Sequence, residues 1–482
     1  MFLVKLKKFR FKTLGVFLVV LFFILGNFII SSDSIYISFL STEQKDFVKK
    51  YLFPYNTISL LEQTVIEQAQ DNLSNNIESN LEIQDLKNTI SHLSTRLELE
   101  KKESGSDIEI NKTIINLSND LILEKFQLVS GFYSGINNDY PGSGFIDFHK
   151  DNIIILSSRG LLAYKQSPID NQESFKQISS NINDFIGLDQ FDKNKWFSIK
   201  DILIFNNQIF VSYTEEIKND CWNTSIVSAD MHYKKIKFTE LFSSEDCVNS
   251  INNIDNEFNA HQSGGRIISL DDNHILFSMG EYRSRHLAQN EKSVNGKIIK
   301  LNILNRSYEI ISMGHRNPQG MYFDKSKNII LETEHGPQGG DEINIIEISK
   351  INRDEVLNYG WPISSAGEHY GGKTEDNKPK YEKYPLHNSH SEYGFIDPIK
   401  SFTPGIGISE IVKIGENKYA VSSLKDKSIY IFELDEKSFL INLMRVEVQE
   451  RIRDLVFKNS RIYLFLEDTA SIGVINLKNM KG

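Results

Sequence analysis

At 482 residues the chain exceeds what one compact core usually supports, so two or three structural units are expected. Its 40% hydrophobic, 24% charged and 11% aromatic content suffices for a sizeable core. A net charge of -10, with no long basic run beyond the N-terminus, argues against nucleic acid as a partner, because phosphate neutralisation needs clustered Lys and Arg. Two cysteines, Cys221 and Cys247, exclude a disulfide-rich scaffold and a four-thiolate metal site. Outside the cytoplasm they can pair, closing a loop of about 25 residues worth about 3 kcal/mol. Two unrelated buried thiols is the other reading.

Lys5, Lys7, Lys8, Arg10 and Lys12 precede an uncharged apolar run from Thr13 to Ile30. A helix of that length spans roughly 27 Å, close to the hydrocarbon thickness of a bilayer. The basic flank stays cytoplasmic, so residues 1–31 are expected to be a single-pass anchor in the cell (inner) membrane, with the rest periplasmic or extracytoplasmic. A cleaved signal peptide is the competing reading, but the run is long for one and no clear small-x-small cleavage site follows.

Residues 32–107 are expected to form a helical stalk and linker. From Ile58 to about Glu103 there is no Gly, Pro or Cys, and Ile83, Leu86, Ile90, Leu93 and Leu97 recur at three and four residues. That is the spacing of a coiled-coil seam. Such a stripe is not buried by one helix alone, so the stalk either self-associates as a parallel homo-oligomer or docks on the next domain.

From Lys125 to Gly482 the pattern becomes all-β. A short strand, a polar turn and a second strand recur at Phe145–Leu156, Ile199–Tyr213, Arg266–Met279, Gly320–Glu332, Ile408–Val421 and Ile452–Leu466. The turns carry residues such as Asn206–Asn207 and Asp271–Asn273 that tolerate tight reversals. Turns about 45 to 90 residues apart are too uneven for a solenoid and suit propeller blades with loop insertions. Six hairpins predict a six-bladed β-propeller; a two-sheet sandwich is the plainer alternative.

Four stretches carry chemistry: Asn259–Arg266 (NAHQSGGR); Gly314–Gly320 (GHRNPQG); Glu334–Asn344 (EHGPQGGDEIN) running on to Asn358–Pro362 (NYGWP); and Ser423–Lys427 (SLKDK) with Arg451–Asp454 (RIRD). Gly336, Pro337, Gly339 and Gly340 form a loop able to turn carbonyls inward, followed by Asp341 and Glu342. Carbonyls and hard carboxylates are calcium ligands, although a polar turn ending in a solvated acidic pair reads equally from those residues. His261, beside Gly-rich chain, is of the type that draws a proton from a hydroxyl; a lone His is more often structural. Arg316, Lys425, Arg451 and Arg453 would together suit a ligand with several carboxylates, and singly would be surface charge.

These stretches resemble the glucose/sorbosone dehydrogenase family, over about Lys125 to Leu477. The resemblance implies a six-bladed propeller that uses pyrroloquinoline quinone (PQQ) and Ca²⁺ to oxidise an aldose at C1. It implies that His261 is the general base and that Arg316 and Asn317 stand beside the reactive quinone carbonyl. Lys425, Arg451 and Arg453 match cations on the PQQ carboxylates, and Tyr370 matches a cofactor contact. Gly336 and Pro337 match carbonyl ligands of calcium, and Glu342 and Tyr359 match ligands of a calcium in the aldose dehydrogenase branch. The implied reaction passes hydride to PQQ and yields a lactone, with electrons going on to an acceptor the sequence does not identify.

Two departures stand out. The family's Gln in a Gln-Gly-Gly-Leu-Leu stretch is replaced within Lys195–Asp201 (KWFSIKD), where either Trp196 stacks on the cofactor ring or the pocket is altered. The segment between His261 and Arg316 is shorter than in soluble glucose dehydrogenase, so glucose itself need not be the substrate. The opposing reading is a non-catalytic membrane-anchored propeller that binds a protein or glycan. Retention of His261 together with four cations favours the enzyme.

Overall fold

The structure, a computed structural model, describes residues 79–118, 120–129, 144–169, 174–194, 196–351 and 356–479. The basic tip, the expected membrane anchor and most of the expected stalk lie outside the described residues. Among the described residues no helix is long and apolar enough to cross a membrane. The chain divides into a unit up to Ile83 and a unit from Gln84 to Gly482, and the second holds all the described strands.

The six expected hairpins are present, each as the inner two strands of a four- or five-stranded sheet, and the six sheets make a six-bladed β-propeller. The innermost strands are β1 (Gly144–His149), β2 (Ile199–Phe205), β3 (Gly264–Asp271), β4 (Pro318–Asp324), β5 (Ile408–Lys413) and β6 (Ile452–Lys458). Each lies beside its successor, and β6 lies beside β1. Ring closure comes from the other end of the chain. Strands Glu109–Asn116 and Ile122–Val129 pair onto Ser471–Asn476 as the outer part of the sixth blade, so the blade strands begin upstream of Lys125.

The local sequence explains the architecture. The second strand of each blade is buried on both faces, so it reads as an uninterrupted apolar run. In Ile153–Ile154–Ile155–Leu156, side chains alternate between two interfaces: Ile153 and Ile155 pack toward blade 6, Ile154 and Leu156 toward blade 2. Six hydrophobic clusters, one between each pair of neighbouring blades, make up the main core. The hairpin at Asn206–Asn207 turns with positive φ at both residues (49° and 61°), as two-residue reversals that match strand twist require.

Five of the six inner strands carry a register shift near their N-terminal ends. In β2, Ile199 faces Tyr213 and Asp201 faces Ser212, leaving Lys200 as the extra residue. In β4 the extra residue is Gln319, and in β6 it is Arg453. Just past the shifts, charged side chains meet across the ring. Arg266 Nη1 lies 2.7 Å from Asp201, 2.5 Å from Glu410 and 3.0 Å from Asp454, all buried. The same carboxylates accept backbone N–H groups of other blades: Asp454 from Ile146, Asp201 from Ile267, Glu410 from Met321. Burial pushes the Asp201 and Glu410 carboxyls upward, and Arg266 pulls the other way.

Residues from Gln84 onward of helix α1 (Ser79–Ser104) dock on the propeller through a polar face. Ser94, Thr95 and Glu98 are buried, Ser157 donates to Glu98 at 3.0 Å, and His92 pairs with Asp192 at 2.8 Å. Leu86 and Leu93 of the expected seam stay 56% and 57% exposed. The described helix therefore takes the docked arrangement, held by polar contacts and not by its apolar stripe. Cys221 and Cys247 form a disulfide, 26 residues apart in sequence, joining the strands Cys221–Asp230 and Val248–Asn249 where they pair.

Removing Arg266 strands three buried carboxyl groups. Arg266→Met should cost about 3–5 kcal/mol in urea denaturation, the range for breaking a buried pair on one side. The Asp201 and Glu410 carboxyls are then raised further, so the mutant's deficit should widen from pH 5 to pH 8, because the folded state holds protons that the unfolded carboxylates have already released. A deficit that is small and independent of pH would contradict this account of the hub.

Candidate active site

The N-terminal ends of the inner strands surround a cleft enclosing about 300 Å³ of non-atom space up to its open mouth, lined by Phe145, Lys200, His261, Gly264, Gln319 and Arg453 among others. The register shifts explain its chemistry. An extra residue re-aims the side chain there, and the three strands with Lys200, Gln319 and Arg453 at that position all contribute them to the cleft.

His261 stands between strands on the loop that leads into β3, its own N–H bonded to the Asn259 side chain at 2.8 Å. Its ring stacks on Trp196 (centroids 4.0 Å apart, planes 17° apart), so the imidazole occupies one face of the indole expected to stack on the cofactor. No described residue hydrogen-bonds either ring nitrogen of His261. Burial first, then the charges of Arg453 and Lys200, hold its pKa well below the usual histidine range. The imidazole is therefore neutral and has a free lone pair, the state a base requires.

Of the four expected cations, Arg453 lines the cleft. Arg451 and Arg453 share a single carboxylate, Glu467, at 3.3 and 3.5 Å, and Arg453 also reaches Gln319 at 3.3 Å. The Nε of Arg453 is buried without a hydrogen-bond partner. Arg316 donates to the His335 carbonyl (2.8 Å) and to the Tyr370 hydroxyl (3.5 Å), and its guanidinium lies over the Trp361 ring. Asn317 uses its side-chain oxygen to accept from Gly264 N–H and from Gln319, which ties the loop after His261 to β4. Lys425 is not drawn into the cleft. It sits in a turn between the second and third strands of blade 5 with its side chain exposed. Tyr370 is half exposed beside Arg316 and Arg283.

Gly336 and Pro337 occupy a tight turn whose shape depends on glycine: a Cβ on Gly336 would lie 2.1 Å from the Gly340 carbonyl oxygen. Asp341 accepts the Gly336, Gly407 and Ile408 N–H groups, so it braces the loop. No described residue donates to the carbonyl of Gly336 or Pro337. Glu342 belongs to a second group. It stands opposite Glu334, and Glu332 stands opposite Asn344, on neighbouring strands of blade 4, and all four are buried. His315, Glu332 and Glu334 have ligand atoms within 4.8 Å of one another, and Oε1 of Glu332 and Oδ1 of Asn344 are unpaired. The hydroxyl of Tyr359 is already bonded to the Ile345 carbonyl at 2.7 Å, and its ring stacks on His315.

Sequence reading missed Lys200, Gln319, Glu281, Glu332 and His315 as site residues. In the orientation that satisfies both its amide atoms, Gln262 donates to Glu281 and accepts from Arg316. Burial pushes the Glu281 carboxyl up to about 7. The signal for Lys200 was present: Ile199–Lys200–Asp201–Ile202 repeats the pattern of Ile452–Arg453–Asp454–Leu455.

A model of the glucose/sorbosone dehydrogenase family matches residues 204–474 of this chain. The chain belongs to that family. An aldose sugar dehydrogenase of Escherichia coli is 27% identical over 213 residues, 40% of this chain and 53% of that one. An uncharacterized protein of Synechocystis is 28% identical over 222 residues, 40% and 50% of the two chains. The chain spans about half the length of these curated relatives. Among solved structures, the soluble aldose sugar dehydrogenase of Escherichia coli in its apo form superposes with a TM-score of 0.53 at 18% identity, covering 76% of this chain and 98% of that one. A PQQ-bound aldose sugar dehydrogenase from Streptomyces coelicolor gives 0.51 at 16% identity, covering 73% and 98%. At such identities the superpositions establish the shared fold.

The site's electrostatics are testable without any reaction. In ligand-free protein, ¹³C- or ¹⁵N-edited NMR should find the His261 imidazole neutral at pH 6, and a bound polyanion should raise its pKa by offsetting Arg453 and Lys200. The folded state resists this protonation more than the unfolded chain does, so His261 withdraws stability as pH falls below 6.5. An ordinary titration near 6.5 in the ligand-free protein would contradict the crowding of cations around it.

Proposed function

We propose that this chain is a PQQ- and Ca²⁺-dependent dehydrogenase that oxidises the C1 hydroxyl of an aldose to a lactone. The observation that carries the reading is the juxtaposition of a neutral imidazole, His261, whose ring nitrogens have no hydrogen-bond partner among the described residues, with the half-buried Arg451 and the buried Arg453, which share one carboxylate. An excess of buried cations is stable only with an anion to offset it, and a tricarboxylate fits that donor set. PQQ, when bound, supplies a quinone carbonyl able to accept hydride.

The residues' own parts follow from their positions. Arg451 and Arg453 hold carboxylates, and Arg316, aligned by His335 and Tyr370, presents positive charge where oxyanion character develops. His261 takes the hydroxyl proton on a ring nitrogen, and the Trp196 ring holds the imidazole plane. Lys425, with its side chain exposed, has no assigned part in this reading.

Calcium is supported by two donor sets. The Gly336 and Pro337 carbonyls have no described donor, and the buried Glu332, Glu334 and Glu342 have no Lys or Arg within pairing distance among the described residues, so a divalent cation would offset them. The disulfide agrees with an oxidising compartment, and with the basic-then-apolar N-terminus it supports a periplasmic domain anchored by one helix.

Full chain reconstituted with PQQ and Ca²⁺ should reduce a dye acceptor when aldoses are added. His261→Ala should lower kcat by about 10²–10⁴-fold, the range for a general base, with PQQ affinity largely kept. Failure of the wild-type protein to bind PQQ would remove the redox reading in favour of a binding module.

A further inference from the structure

The cleft holds one cation that the functional reading above does not use. Lys200 is half-buried at the bulge of β2, in the same repeat position that holds Arg453 in β6. Its Nζ donates to the Trp196 carbonyl at 3.0 Å and to the Ala260 carbonyl at 3.4 Å, the main-chain groups at and just before the two stacked rings. No carboxylate among the described residues pairs with it. The charges closest to it in effect are those of Arg453 and Arg159, both repulsive.

Drawing an ammonium group partly out of water without a counter-charge is unfavourable, and an apolar side chain of similar length would fill the same space. The next residue, Asp201, does not relieve it, because the bulge sends Asp201 to the axis, where it is bonded to Arg266 and Ile267. An ammonium group has three donor positions, and two are taken by carbonyls.

We infer that Lys200 is a ligand-binding residue of this cleft that takes a carboxylate, the blade-2 counterpart of Arg453. The inference rests on the PQQ reading for the cofactor as one source of that carboxylate; an acidic sugar, oxidised at C1 and carrying a carboxylate elsewhere, is the other. Burial and the neighbouring guanidinium groups drive the Lys200 amine well below its usual range, so the cleft is poised to take up a proton together with the anion. Because the same side chain clamps the Trp196 and Ala260 carbonyls, filling its third position would couple ligand arrival to the posture of His261.

The test is equilibrium binding to the full chain with Ca²⁺, read by calorimetry, for the wild type, Lys200→Met and Lys200→Arg. The probes are PQQ, its trimethyl ester and glucuronate. Lys200→Met should weaken PQQ binding by about tenfold or more, leave the ester unchanged, and be rescued in large part by Lys200→Arg. In the absence of ligand it should unfold at a temperature no lower than the wild type, since it replaces an amine that has no carboxylate partner by an apolar side chain of similar length. Loss confined to glucuronate assigns the carboxylate to the substrate. Equal loss for PQQ and its ester means a purely structural clamp and overturns the inference, as does unchanged affinity for both PQQ and glucuronate. Wild-type protein that binds neither overturns the functional reading as well, which separates the two failures.

Discussion

The arrangement depends on one buried guanidinium. Arg266 stands among Asp201, Glu410 and Asp454, and these carboxylates hold the backbone N–H groups of Ile267, Met321 and Ile146. One side chain thus links strands from blades 2, 3, 5 and 6 directly, and blades 1 and 4 through the acids. A propeller's blades touch mainly their neighbours, so a tie across the axis sets the relative height of strands that are otherwise far apart. The functional cleft is built directly on that level.

Just above the tie, the bulges sort charge by sign. In β2 and β6 a basic residue and an acidic one are adjacent in sequence, and in an unbroken strand they would point to opposite faces of the blade. The inserted residue changes this: Lys200 and Arg453 turn to the cleft, while Asp201 and Asp454 turn to the axis. The acids are satisfied by Arg266, and the cations are left with little besides Glu467. The positive character of the cleft is therefore not visible in a chain whose net charge is -10. It arises because the counter-charges are spent one residue further down each strand.

How much was readable beforehand follows the same physics. The hairpins were legible because their second strands are buried on both faces and bounded by turn residues, as in Ile153–Leu156 and at Asn206–Asn207. His261, Arg316 and Arg453 were legible because they sit in dense, recognisable stretches. Lys200 was marked only by its match to the Arg453 pattern in another blade, and its exposure to the cleft is decided by register. Lys425 illustrates the converse, a cation in a matching stretch whose side chain points to solvent. The helix at Ser79–Ser104 shows a third limit: its leucine spacing suggested an apolar interface, but Ser94, Thr95 and Glu98 make the contact.

The amino-acid sequence alone determined the number of blades, the placing of their inner hairpins and the family, because apolar runs, turn residues and contiguous motifs act over a few positions of chain. Tertiary structure decided which ionisable groups share a space. It joined Cys221 to Cys247, which sequence had left open, set Trp196 against His261, and gathered Glu332, Glu334 and Glu342 with His315. Those juxtapositions depend on strand register and ring closure, which bring together residues tens to hundreds of positions apart, and no local pattern encodes the distance between them.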